Sequence, residues 1–231
     1  MKYGYGLVAL ALCGLFAAVA GAQEERKLPP REGVEWCSIN SYNASSTDLP
    51  RVAVIGDSIA GRYAGAVRKA LEGKAYLSAL STSKAVGDPA LLDEVRTLLN
   101  QYTYAAVHFN IGLHGGGGDP AFRKGFPELI ATIRKHAPGA KLIWATTTPC
   151  KGEGGMTQRA RSFNRIAAEY LAKEKDIAVD DLYGLVMSNI DNPELLWDGG
   201  GIHFTAEGAA LQGKHVAEFI LAEMQTETEP E

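Results

Sequence analysis

Residues 52–63, VAVIGDSIAGRY, place a serine where an apolar run stops and a run of small residues begins. Val52 to Ile55 read as a buried strand. Gly56, Asp57 and Ser58 interrupt it, and the residues after them read as a helix. A serine at a strand-to-helix turn stands exposed at the top of a sheet. The first amides of the helix have no intrahelical acceptor and point toward it, so an oxyanion formed near Ser58 is stabilised there. A hydroxyl alone is a poor nucleophile. It needs a histidine to take its proton and a carboxylate to orient that histidine.

The chain has five histidines. His136 falls at a helix end in IRKHAPG, where a solvated or dipole-facing role is expected. His215 lies inside the last helical stretch, where packing or surface is the better reading, and His108 lies within the apolar run AAVHFNIG, as an interior residue. His203 differs: LWDGGGIHFTAEG puts it in a glycine-rich loop directly before the final helix, with Asp198 just upstream, and such loops can fold over strand ends. Asp191 is a further candidate carboxylate. The serine motif is not the nucleophile elbow G-x-S-x-G, because position 60 is alanine.

These groups need a scaffold to bring them together. Apolar β-prone runs appear at 52–55, 104–111 and 140–146, with weaker ones at 75–79 and 177–179. Helical periodicity covers roughly 60–72, 90–101, 120–136, 156–174 and 205–224, with Leu91, Leu92, Val95 and Leu98 on one face of the second and Thr205 as a candidate N-cap of the last. Continuous apolar strands alternating with helices imply a parallel sheet covered on both faces, a three-layer α/β/α sandwich of class α/β. Chemistry in such sheets collects at the carboxyl ends of the strands.

At 231 residues the chain is long enough for one substantial core. Residues 1–22 carry a lysine near the start, an apolar stretch from Leu7 to Ala20 and a small-residue ending at Ala22, which is a signal-peptide pattern and is short for a membrane span. The chain is therefore expected to be secreted or periplasmic after cleavage near Ala22, with no stable membrane association. An uncleaved anchor is the alternative. Residues 23–50 read as a polar lead segment, 51–225 as the folded domain and 226–231 as an acidic tail. The formal net charge is −4, and loss of the leader removes one lysine and no acid. Without a basic stripe, no nucleic-acid partner is expected. Cys37 and Cys150 survive cleavage; a disulfide between them and two unpaired thiols are both compatible with the sequence.

Four blocks in order (IGDSIA, the glycine in STSKAVGDP, GLHG after a central strand, and DGGGIHFTAEG before the last helix) resemble the SGNH or GDSL hydrolase family, from about Arg51 to the end of the last helix. The resemblance implies a flavodoxin-like sandwich, Ser58 as nucleophile, His203 as its base and Asp198 as the orienting acid. It also implies an oxyanion hole made by the backbone N–H groups of Ser58 and Gly87. In the third block His114 stands where the family has an asparagine, with Asn110 as the reserve donor. In the last block the family spacing is D-x-x-H, whereas here two extra glycines separate Asp198 from His203. If Asp198 does not reach, a Ser–His dyad with a backbone carbonyl on the ring remains.

The activity implied is a cofactor-independent serine esterase releasing O-acyl groups, O-acetyl on carbohydrate by preference, with a small-molecule or polysaccharide ester as substrate. Alternatives that keep the fold are a lysophospholipase or thioesterase, an acyltransferase using the same serine, and a glycan-binding protein that lost turnover. The last would use Trp36, Trp144 or Trp197 as stacking surfaces.

Overall fold

The structure is a computed structural model that describes Met1, residues 28–192 and residues 196–226. The expected leader apart from Met1, and the acidic tail beyond Thr226, lie outside the described residues.

Six strands form one sheet: β1 (Cys37–Ser41), β2 (Arg51–Gly56), β3 (Tyr76–Thr82), β4 (Ala106–Asn110), β5 (Lys141–Ala145) and β6 (Ile177–Asp180). Their order is β1-β3-β2-β4-β5-β6. Strands β2 to β6 are parallel to their neighbours, and β1 pairs antiparallel with β3, Cys37 opposite Thr82 and Ser41 opposite Ser78. Helices among the described residues include α1 (Ser58–Ala70), α2 (Pro89–Leu99), α3 (Gly118–His136), α4 (Gly155–Leu171), α5 (Leu182–Met187) and α6 (Ala206–Gln225).

The fold is the expected three-layer α/β/α sandwich. Every residue of β2 is buried, and its side chains alternate between two cores: Val52 and Val54 face α1 and α6, while Ala53 and Ile55 face α2, α3 and α4. A strand covered on both faces must be apolar throughout, which is why VAVI runs without interruption.

One strand was not legible. CSINS belongs to the polar lead segment, yet it forms the antiparallel edge. An edge strand needs few half-buried side chains, here Ile39 and Ser41, because its backbone bonds to β3 carry the pairing. This placement also decides between the two states the sequence left open for Cys37 and Cys150, in favour of unpaired thiols. Both cysteines are free, Cys37 exposed on β1 and Cys150 buried beyond β5. Four strand spacings of about 4.8 Å separate those two strands, far beyond the reach of a disulfide.

Helices α1 and α6 pack closely, and Gly213 makes this so: a Cβ there would stand 2.5 Å from the Ala66 Cβ and 2.7 Å from the Tyr63 carbonyl oxygen. Because Ser58 and His203 lie at the N-termini of these two helices, Gly213→Leu is expected to cost about 1–3 kcal/mol of stability and to lower the activity that the resemblance implies. Urea unfolding and activity measured on the same sample check this.

Beneath the pair lies a buried polar cluster. His108 Nε2 of β4 is 2.9 Å from Asp180 Oδ2 of β6, and His215 Nε2 of α6 is 2.7 Å from Asp180 Oδ1. His108 and Asp180 are fully buried and His215 is about one-third exposed. One carboxylate thus ties the central strand, the edge strand and the last helix together. His215 is an anchor and not the surface or packing residue that its helical position suggested.

Candidate active site

The strand order reverses at β2: the chain moves first to β3 on one side, then to β4 on the other. Loops leaving the C-terminal ends of β3 and β4 therefore diverge around the end of β2, which opens a crevice there. Ser58 is the first residue after that end. Gly56 is required because a Cβ would lie 2.2 Å from the Ala60 Cβ and 2.8 Å from the Asn110 carbonyl oxygen. Asp57 caps α1, its Oδ1 accepting the Ile59 N–H at 2.9 Å. Its Oδ2 accepts the Leu113 N–H at 3.3 Å. This buried carboxylate binds the Ser58 turn to the loop after β4 and leaves the Ser58 N–H at the positive end of α1.

His203 comes from the other end of the chain. Thr205 caps α6 by accepting the Gly208 N–H at 3.0 Å, as the sequence suggested. Directly before it, residues 196–205 fold into a tight antiparallel excursion: the Asp198 N–H donates to the His203 carbonyl at 2.9 Å, the Thr205 N–H donates to the Leu196 carbonyl at 2.8 Å, and Trp197 pairs with Phe204. The result places His203 Nε2 2.9 Å from Ser58 Oγ, across 145 residues of sequence. That is hydrogen-bond reach for a hydroxyl and an imidazole.

The expected third member is not on the ring. The three glycines return the Asp198 backbone to a position opposite His203, but its carboxylate is turned away. Oδ1 accepts the Gly200 N–H at 3.1 Å, and Oδ2 lies 3.4 Å from Arg62 Nη1. Among the described residues no hydrogen bond joins that carboxylate to the His203 ring, so in this conformation the serine and histidine form a dyad. A local Asx-type turn and a guanidinium one helical turn beyond Ser58 compete for the oxygens and hold them. Asp191 lies in the turn after α5 and is exposed.

Two of the expected oxyanion donors, Asn110 and His114, have other partners. The Asn110 amide donates to the Thr146 carbonyl at 2.9 Å, bridging the ends of β4 and β5. His114 Nδ1 lies 2.7 Å from Glu32 Oε1, and its ring meets Trp36 edge-on at 6.2 Å. Gly87, with φ of 97°, packs its backbone on Ala121 and Gly125 of α3. Of the four, the Ser58 N–H stands at the site by its own position, whereas the contacts described for the others lie elsewhere.

The lead segment accounts for part of this. Arg31 grips Asp88 through two hydrogen bonds of 2.7 and 2.9 Å, Lys84 pairs with Glu35, and Glu32 meets His114. Residues 30–36 thus strap the loops after β3 and β4. Burial alone would raise the Glu35 carboxyl, but the Lys84 and Ser83 hydrogen bonds outweigh it and hold it at about 2. The glycine run follows from the same crowding: a Cβ at Gly115 would stand 2.4 Å from Arg159 Nε, and one at Gly116 would stand 2.5 Å from the Pro30 carbonyl oxygen. Arg159 itself donates to the Leu113 carbonyl at 2.9 Å, locking the loop from the α4 side.

Of the aromatic residues considered for glycan stacking, Trp144 and Trp197 are buried in the core, Trp197 donating weakly to the Pro149 carbonyl at 3.4 Å. Trp36 is partly exposed and occupied with His114. Arg62 and Arg159 were not legible as site residues. The one available signal was the i,i+4 spacing from Ser58 to Arg62, which puts both on one helix face.

The sequence profile of the GDSL-like lipase/acylhydrolase family matches residues 45–211. No curated protein matches the chain. Solved structures share the fold. The lipase/acylhydrolase from Enterococcus faecalis is 17% identical with a TM-score of 0.61, over 75% of this chain and 96% of its own. The C-terminal catalytic domain of Streptococcus pneumoniae peptidoglycan O-acetyltransferase A is 22% identical with a TM-score of 0.54, over 76% and 94%. A carbohydrate esterase family 3 protein from Talaromyces cellulolyticus is 11% identical with a TM-score of 0.58, over 77% and 99%.

Proposed function

Because the chain belongs to the GDSL-like lipase/acylhydrolase family, we propose that it is a serine esterase that removes small O-acyl groups, acetyl by preference, from carbohydrate. The observation that carries the reading is the 2.9 Å approach of His203 Nε2 to Ser58 Oγ at the carboxyl end of the central strands. Ser58 Oγ attacks the ester carbonyl while His203 takes its proton. The tetrahedral oxyanion forms beside the Ser58 N–H at the positive end of α1. His203 then gives that proton to the departing alcohol, leaving an acyl-serine. Water, deprotonated by the same imidazole, attacks the acyl-serine, and the carboxylic acid leaves as Ser58 regains its proton. The preference for acetyl on carbohydrate is supported by two fold relatives, one an O-acetyltransferase and the other a carbohydrate esterase. Fold likeness constrains reaction class more than substrate. Export after cleavage near Ala22 belongs to the same reading and is checked by the N-terminal mass of the protein recovered outside the cytoplasm.

Treatment with a fluorophosphonate is expected to leave one phosphonyl group on the peptide containing Ser58. Acetate release from p-nitrophenyl acetate and acetylated xylan is expected to exceed acid release from octanoyl and palmitoyl esters. Phosphonylation elsewhere, or no labelling together with no acetate release, defeats the esterase reading. Faster turnover of the long-chain esters defeats only the acetyl preference.

A further inference from the structure

We propose that Arg62 is a positioning residue that decides whether Asp198 orients His203, an inference that rests on the serine–histidine reading above. Backbone pairing sets Asp198 directly across from His203. Residues directly opposed in an antiparallel pair project from the same face with Cβ atoms about 5 Å apart. Rotation of one side chain is therefore enough to carry the Asp198 carboxylate to the imidazole. In the structure the carboxylate is instead 3.4 Å from Arg62 Nη1, and the same Nη1 donates to the Phe204 carbonyl at 3.3 Å. One guanidinium holds both strands of the excursion, the acid on one side and the backbone next to His203 on the other. Arg62 has this reach because it lies one helical turn beyond Ser58.

Both partners of the ion pair are substantially exposed. Exposed pairs of this kind are weak, so little free energy holds the carboxylate on Arg62, and Arg62→Met removes the cation in contact with it. Among the described residues, the charged groups on the segments that adjoin His203 are Asp198 in its own excursion, Arg62 on α1, Asp57 before Ser58, Lys151 beside Gly201 and Glu207 in the first turn of α6. Among the described residues, Arg62 is the cation in contact with the Asp198 carboxylate.

The test is a double-mutant cycle on the full chain, read as kcat/KM against pH with p-nitrophenyl acetate. Asp198→Asn is expected to cost less than about threefold in the wild-type background and more than about tenfold in the Arg62→Met background. A carboxylate beside an imidazole favours its protonated form, so Arg62→Met is expected to move the acid limb of the profile to higher pH, and adding Asp198→Asn is expected to return most of that shift. Loss of the Arg62 charge alone would leave the limb displaced in the double variant. Arg62→Lys is expected to behave as wild type. In proton NMR, a downfield imidazole Nδ1 proton is expected in Arg62→Met and not in the double variant, a readout independent of turnover. Equal costs of Asp198→Asn in both backgrounds, or a limb that stays displaced in the double variant, overturns the proposal. A parent protein that labels at Ser58 and hydrolyses the ester, yet shows no coupling, fails this inference alone. A parent that does neither fails the esterase reading as well.

Discussion

Replacing His203 with alanine is expected to lower kcat for a simple acetyl ester by about 10⁴-fold or more, with KM changed far less. The size follows from what the imidazole does. Among the described residues, the Ser58 hydroxyl has one side-chain base within hydrogen-bond reach, Nε2 of His203 at 2.9 Å. The same nitrogen must also protonate the leaving alcohol and activate water. One substitution therefore removes the proton acceptor from acylation and from deacylation. Binding is largely untouched, because α1 still presents the Ser58 N–H to the carbonyl oxygen. The residual rate should rise with hydroxide concentration and show no acid limb, since the group whose neutral form is needed is gone. Stopped assays across the pH range, with unfolding monitored on the same preparations, check this. An alanine variant that keeps even a tenth of the parent rate is incompatible with His203 as the base.

Asp180→Asn is expected to lower the unfolding free energy by about 3 kcal/mol. Burial alone would raise the Asp180 carboxyl, but the hydrogen bonds from His108 and then His215 outweigh it and hold it below its ordinary value of 3.8. The Asp180 hydrogen bond raises His215 above its ordinary 6.5, against the opposing effect of its burial. These directions fix the pH window. The Asp180 contribution is complete above 3.8 and lost as pH falls through the depressed value. The His215 contribution is complete below 6.5 and lost as pH climbs through the raised value. The stability gap between wild type and Asp180→Asn should therefore be widest between pH 3.8 and 6.5 and narrow on both sides. Urea unfolding at several pH values measures it, and a gap that grows on the alkaline side contradicts the assignment.

The energetic reason for so large a cost is that the asparagine amide would offer an N–H to one of two imidazole nitrogens that now face carboxylate oxygens. Among the described residues, His108 Nδ1 is already buried without a partner, and the Tyr63 hydroxyl beside it also lacks one. A core with so little slack in its polar bonding tolerates the loss of a shared acceptor poorly. Because α6 begins two residues after Phe204, loosening its tie to Asp180 also loosens the segment that carries His203.

The sequence by itself determined the layers and which serine and histidine meet, Ser58 and His203. Uninterrupted apolar strands between amphipathic helices leave a parallel sheet covered on both faces as the arrangement that buries them. A serine at the end of the central strand and a histidine before the last helix then fall at one rim. Local chemistry is enough for such conclusions, because periodicity and caps act over a few residues. Tertiary structure alone decided where the polar groups of that rim point. Asp198 returns beside His203 yet turns to Gly200 and Arg62; His114 is taken by Glu32 from a segment that reads as a mere lead; Asn110 is spent on Thr146; and His215 reaches Asp180 across the sheet. The glycines at 115 and 116 are explained by Arg159 and Pro30, from distant parts of the chain. A carboxylate, an imidazole or an amide can satisfy its hydrogen bonds with any of several neighbours at similar free energy, so its partner is set by what packing brings within 3 Å, and packing is a property of the whole chain.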